Sequence, residues 1–295
     1  MQIKTNNLTL ETVTYGNKSH PCIMLIRGLG SQLIQWNADF IQRFVASGYF
    51  VVVFDNRDMG LSERIVYSRK DTDISIQKLL TGENAHAPYS ALDMAQDVID
   101  LMDTLEIDKA HIYGISLGGM ISQILAHDYT DRVLSATIVM SSNGAEGLSQ
   151  MLPEAIEALS AKVTLRTVDT MVDFFIEKAG VFSSTVPKKI SQSMREGITA
   201  LVQRGYDPDG QARQWLAILK TRHLASLVEY NKNTTVPCLV MHGEDDILIG
   251  IDHGRCIADT IPNAEFKSWG KWGHDSPPHM IEPLASAVLE FIKDK

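Results

Sequence analysis

A chain of 295 residues carries 27 Lys and Arg against 36 Asp and Glu, a formal net charge of −9. That balance disfavours a nucleic-acid partner, because phosphate binding rests on clustered Lys and Arg that neutralise the backbone. Hydrophobic residues at 44% and charged residues at 21% exclude a disordered chain and supply a sizeable core, as one large domain or one domain with an insertion. No apolar run reaches the roughly 18 residues that crossing a bilayer requires, so no membrane association is expected.

The opening stretch MQIKTNNLTLETVTYG alternates polar and apolar residues and lacks an apolar h-region. It reads as strand rather than signal peptide, and a cytoplasmic location is the default expectation. Short β-rich apolar runs follow at Cys22–Ile26 and at residues 49–54, 110–113, 133–140, 236–241 and 264–269. Parallel strands buried on both faces have this continuous character, and their alternation with helical patterns implies βαβ units in an α/β fold.

A helix is predicted where Leu92, Ala95, Val98, Ile99, Met102 and Leu105 recur at spacings of three and four behind Ser90 as N-cap. Asp93, Asp97, Asp100 and Asp103 fall on its other side and read as a solvated face, not a metal site. Over residues 142–233 the strand signals stop and amphipathic stretches take over, at 168–178, 187–204 and 211–230. The organisation expected is a core in two parts, 1–141 and 234–295, with a helical cap inserted at 142–233. Cys22, Cys238 and Cys256 lack CxxC spacing, so they read as buried small hydrophobes rather than a disulfide framework or a zinc site.

The strongest chemical signal is Gly114-Ile115-Ser116-Leu117-Gly118, set between the strand at 110–113 and the helical run at 120–127. A strand turning this sharply into a helix strains its middle residue, leaves room only for glycine on either side, and exposes the Ser116 hydroxyl at the helix N-terminus. A serine hydroxyl is a poor nucleophile at neutral pH; it requires a general base, and the base requires an orienting carboxylate. Both are on offer after later strands, in His242-Gly243-Glu244-Asp245-Asp246 and in Lys271-Trp272-Gly273-His274. Strand ends at one edge of an open α/β sheet form the usual crevice for chemistry.

In these motifs the chain resembles the α/β-hydrolases, in particular the esterase branch that includes aclacinomycin methylesterases and proteins called non-haem haloperoxidases or enol-lactonases. The order Ser, Asp, His is that of the family. The resemblance implies a mostly parallel central sheet flanked by helices, with the inserted cap above it. It maps the triad acid onto Asp246, three residues after Gly243, ahead of Asp245 and Glu244, and the base onto His274, ahead of His242 and His279. His242 reads as a packed core residue and His279 as a loop residue near the entrance. The oxyanion of an acyl-transfer intermediate needs two donors. One is the N–H of Leu117, after the nucleophile; the other is the N–H of Leu29, since Arg27-Gly28-Leu29-Gly30 is similar to the family's His-Gly-x-x segment. Arg27 stands where that segment has histidine, and is read as pairing with a nearby acid rather than with substrate.

Asp55-Asn56-Arg57-Asp58-Met59-Gly60-Leu61-Ser62 resembles the family's D-x-R-G-x-G-x-S turn and reads as structural, Gly60 permitting the bend. Trp36, Trp215, Trp269 and Trp272 could border a pocket but read as core. The function expected is a serine esterase acting through an acyl-enzyme on small to medium, largely apolar esters, with no metal or organic cofactor; a homo-oligomer is open. On the same triad stand a lactonase, a carbon–carbon bond hydrolase and a perhydrolase-type haloperoxidase, and from another class a non-catalytic ligand receptor.

Overall fold

The computed structural model describes residues 1–160, 166–183 and 192–295. The first part of the chain runs β1 (Gln2–Lys4), β2 (Thr9–Tyr15), β3 (Cys22–Ile26), α1 (Ala38–Ala46), β4 (Phe50–Phe54), α2 (Arg69–Leu80), α3 (Ala91–Thr104), β5 (Ala110–Ile115), α4 (Leu117–Asp128) and β6 (Val133–Val139). Helices α5 (Pro153–Ser160), α6 (Val168–Phe182), α7 (Gln192–Gly205), α8 (Pro208–Leu224) and α9 (Leu227–Asn233) follow, and then β7 (Cys238–Gly243), α10 (Ile251–Thr260), β8 (Glu265–Trp269) and α11 (Ile281–Ile292).

The strands form one sheet in the order β1-β2-β4-β3-β5-β6-β7-β8. β1 and β2 pair antiparallel at one edge, β2 antiparallel to β4, and every other neighbour is parallel. The all-apolar runs of β3 and β4 are buried on both faces because alternate side chains enter two different cores. Met24 and Ile26 face α3 and α4, while Ile23 and Leu25 face the side of α1 and α11. After β3 the chain adds β4 on one side and β5 on the other, so the order reverses there. A crevice opens where strand order reverses at the carboxyl ends, and the turns after β3 and β5 meet in it.

The helices between β6 and β7 do not form a separate body. α8 packs on α2 and α3, α9 on α4 and α10, and α6 on α5 and α7. Of the stretch expected to be helical at 187–204, residues 187–191 lie outside the described residues and the rest is α7. The single stretch expected at 211–230 is two helices, because the chain turns at Ala225 and Ser226 starts α9 by accepting the Glu229 amide.

Two of the aspartates on α3 are not solvated. Asp97 and Asp100 are 2% and 3% exposed. Asp97 accepts both Nε and Nη2 of Arg57 at 2.6 Å, and Asp100 accepts the amides of Asn7 and Gln96 at 2.7 and 2.8 Å. A helix face can be polar and inward when another element brings donors to it. Arg57 belongs to the turn after β4, which does hold together through its side chains. Asp55 accepts the amides of Leu33 and Leu61 and the guanidinium of Arg204, at 2.6, 2.9 and 2.7 Å. Asp58 accepts Arg213 at 2.7 and 3.0 Å, the Tyr89 hydroxyl at 2.6 Å and the Ile65 amide at 2.8 Å. Arg204 on α7 and Arg213 on α8 thus bolt the helical layer to the sheet.

Removing one partner of a buried ion pair leaves the other charge uncompensated, at a cost of about 3–5 kcal/mol. Arg213→Ala is therefore expected to destabilise the protein by about that amount in urea unfolding, and Arg213→Met combined with Asp58→Asn by less than Arg213→Ala alone. Equal losses would mean that the pair does not hold the layers together.

Candidate active site

β5 ends at Ile115, and Ser116 takes φ 57° and ψ −115° before α4 begins at Leu117. This left-handed backbone is strained for a serine, and its surroundings over-determine it. A Cβ on Gly114 would lie 2.1 Å from the Gly118 carbonyl oxygen, and one on Gly118 would lie 2.3 Å from that of Ile26. Both glycines are there because backbone passes where a side chain would stand. The turn is held further by the Ser116 amide donating to Val139 O at 2.9 Å and the Ser141 hydroxyl donating to Ser116 O at 2.8 Å.

The loop after β7 supplies Asp246, whose side chain is fully buried. Its Oδ1 accepts the amides of Leu248 and Ile249, each at 2.9 Å. Its Oδ2 accepts His274 Nδ1 at 2.7 Å, and His274 Nε2 lies 3.1 Å from Ser116 Oγ. The side chains of Ser116, His274 and Asp246, from three separate loops, are therefore joined in one hydrogen-bonded line. The His274 amide donates to Phe182 O at the end of α6, at 2.9 Å. Neither Glu244 nor Asp245 reaches His274: Glu244 accepts the Ser268 hydroxyl at 2.8 Å, and Asp245 is exposed.

His242 is fully buried, as a core residue should be, with Nε2 donating to Ile249 O at 2.8 Å and 3.6 Å from Asp246 Oδ2. His279 is exposed and contacts Lys271 O at 3.2 Å. Burial by itself raises the Asp246 carboxyl; the charge of His274, followed by the neighbouring His242 ring and the bond from His274, outweighs it and holds the group well below the usual carboxylate range. With the folded-state value depressed, this stabilisation is present above the unfolded value and is lost as pH falls through the folded one. The stability of wild type over Asp246→Asn, of order 2 kcal/mol above pH 5, is expected to shrink below about pH 4 in thermal melts. A gap independent of pH would assign the loss to packing.

The loop after β3 approaches this line closely. A Cβ on Gly28 would sit 3.1 Å from Ser116 Cβ and 3.2 Å from Ile115 O, so any side chain there would crowd the Ser116 turn. The neighbouring Leu29 amide and the Leu117 amide have no hydrogen-bond acceptor among the described residues. Free backbone donors beside a serine Oγ are what a developing oxyanion needs. The Gly30 amide, by contrast, donates to Gln214 Oε1 on α8 at 2.9 Å, while Gln214 Nε2 donates to Arg57 O at 2.9 Å. Gln32 is clamped in turn, its Oε1 accepting Arg204 at 2.8 Å and its Nε2 donating to Leu201 O at 2.8 Å. Sequence reasoning missed Gln214, Gln32 and Arg204, which hold this loop, and Arg213, which holds the turn after β4. For those on α7 and α8 the only signal was polar residues at inward positions.

Arg27 departs from its expected pairing. Its Nε and Nη1 are buried with no hydrogen-bond partner among the described residues, and its guanidinium lies 4.7 Å from the Trp36 ring centroid in a cation–π contact. Burial lowers its pKa to about 10, so it stays charged at neutral pH. The turn places no carboxylate against it because Asp55 and Asp58 are engaged by Arg204 and Arg213. Trp272 is fully buried and Trp36 nearly so, as core residues; Trp215 and Trp269 are partly exposed. Cys22 and Cys238 are buried, whereas Cys256 is partly exposed and takes a weak bond from Asn143.

A cavity of about 150 Å³ lies further along α4, lined by Met120, one turn beyond Ser116, by Ser142 to Gly144, and by Ile218, Thr221 and Arg222 of α8. Among the described residues no group of His, Cys, Asp and Glu could hold a metal ion, and no helix is long and apolar enough to cross a membrane.

The chain belongs to the alpha/beta hydrolase fold family, whose pattern it matches over residues 21–277. Rhodomycin D methylesterase of Streptomyces peucetius is 24% identical, covering 97% of this chain and 95% of that protein. The 2-hydroxy-6-oxononadienedioate/2-hydroxy-6-oxononatrienedioate hydrolase of Burkholderia vietnamiensis is 26% identical, covering 92% and 86%. Among solved structures, the enol-lactonase of Burkholderia xenovorans superposes with a TM-score of 0.72 at 21% identity over the whole of both chains. A likeness at that identity speaks for the fold.

Proposed function

We propose that this protein is a serine hydrolase that cleaves carboxylic esters through an acyl-enzyme, with Ser116 as nucleophile, His274 as general base and acid, and Asp246 as its orienting acid. The observation that carries the reading is the continuous line from Asp246 Oδ2 through both His274 nitrogens to Ser116 Oγ. Asp246 fixes the tautomer in which Nδ1 carries the proton, so Nε2 is free to accept the one Ser116 loses as Oγ attacks the ester carbonyl. The N–H groups of Leu117 and Leu29 receive the oxyanion. His274 returns the proton to the leaving alcohol, then takes one from the water that hydrolyses the acyl-enzyme. Every step uses groups of this chain and water.

Residues 142–233 serve in this reading as a cap over the crevice, and the cavity beside Met120, lined by apolar and polar side chains alike, has room for a small to medium substrate part. The methylesterase relative supports ester cleavage. The relative named as a hydrolase of 2-hydroxy-6-oxononadienedioate supports a second reading, carbon–carbon bond hydrolysis on the same residues. A panel of esters, lactones, thioesters and ring-cleavage products decides between them. Repeated turnover of esters above all others is expected. Preference for the ring-cleavage products would favour the second reading, and ligand binding without turnover of any class would replace both with a receptor.

A further inference from the structure

Three buried N–H donors, on Arg27 just ahead of the Gly28 loop and on Trp36, have no acceptor among the described residues: Arg27 Nε, Arg27 Nη1 and Trp36 Nε1. They are neighbours, because the guanidinium lies over the Trp36 ring. The walls are aromatic: Trp36 stacks on Phe40 with centroids 6.0 Å apart and meets the edge of Tyr113 at 5.8 Å. A buried cation with orphan donors in apolar surroundings is costly to fold unless an acceptor completes it. No carboxylate of the described residues pairs with it. The backbone here is fixed, since Asn56 Nδ2 donates to Arg27 O at 3.1 Å, and the next residue, Gly28, approaches Ser116. Arg27 as a whole residue is only partly buried.

We infer that this niche is an anion subsite, in which Arg27 and Trp36 receive a carboxylate carried by the substrate, so that the preferred ester is a half-ester of a dicarboxylic acid. Guanidinium forks match carboxylates with two donors, and the indole N–H adds a third. The low-dielectric walls strengthen each of these bonds. This deepens the serine-hydrolase reading and rests on it for the word substrate; the binding of an anion does not.

The test compares kcat/KM for the half-methyl esters of malonic, succinic, glutaric and adipic acids with that for their dimethyl esters. Wild type is expected to prefer at least one half-ester. In Arg27→Met, which keeps the aliphatic stem over Trp36, the half-ester to diester ratio is expected to fall about tenfold to a hundredfold, whatever loss the two substrates share. Arg27→Lys should recover part of that ratio, and Trp36→Phe should lower it several-fold. A ratio unchanged in Arg27→Met overturns the proposal. So does an Arg27-dependent gain in melting temperature from sodium chloride over sodium gluconate with no half-ester preference, since the niche then holds a free anion. If no ester is turned over, calorimetry with glutarate still decides: binding lost in Arg27→Met supports the subsite while the esterase reading fails, and no binding by wild type overturns it.

Discussion

Ser116→Ala and His274→Ala are each expected to lower kcat by about four to six orders of magnitude, and the double variant to fall little further. The reason is the single hydrogen-bonded line that joins them. In the proposed reaction a proton leaves Ser116 only if His274 Nε2 accepts it, so removing either group removes the same step. What survives is the contribution of the oxyanion donors and of substrate binding, which neither substitution touches. Steady-state kinetics on a p-nitrophenyl ester checks this, with folding verified by circular dichroism. Losses that multiply in the double variant would mean that the two residues act in separate steps.

Asp246→Asn is expected to lower kcat by about 10⁴-fold, and Asp245→Asn to change it by less than about threefold. Asparagine is nearly the same size but offers His274 Nδ1 either an acceptor without charge or a donor, and a donor would turn the imidazole to the wrong tautomer. The two amides that hold Oδ1 of Asp246 keep the side chain where it is, so the loss is one of charge and tautomer rather than position. Asp245 is exposed and lies outside that line. The reverse order of effects would move the acid to Asp245.

The strained turn at Ser116 was legible because its signal is local, whereas Asp246 and His274 came from the resemblance to a family. A Gly-x-Ser-x-Gly turn between strand and helix specifies a backbone, and φ 57° at Ser116 is that backbone. The strands were legible because burial on both faces leaves a continuous apolar run, and β3 begins and ends where the run does. Other features depend on what lies opposite in space. Asp97 and Asp100 sit at polar positions of α3, and nothing nearby in the chain says that Arg57 and Asn7 come to meet them. Gln214 holds the Gly30 amide across 184 positions. Arg27 failed its expected pairing for the complementary reason: the neighbouring acids, Asp55 and Asp58, are taken by arginines from α7 and α8. α2 was not foreseen because its charged and apolar residues fall without strong amphipathic order, and it forms against α8.

The stabilising bolts and the hydrogen-bonded line through His274 use the same helical layer. α8 carries both Arg213, paired with Asp58, and Gln214, which clamps the loop bearing Leu29. The end of α6 accepts the His274 amide, and Ser183 bonds to Asp275, the residue after His274. The helices between β6 and β7 therefore help set the positions of two parts of the candidate site, the loop bearing Leu29 and the loop bearing His274.

Fluorophosphonate labelling followed by peptide mapping tests the central claim most directly, because the probe reacts only with a serine whose hydroxyl is activated. The account predicts one adduct, on the peptide containing Ser116, abolished by Ser116→Ala and strongly slowed by His274→Ala. Ester turnover with the adduct on another residue, or persisting in Ser116→Ala, would contradict it.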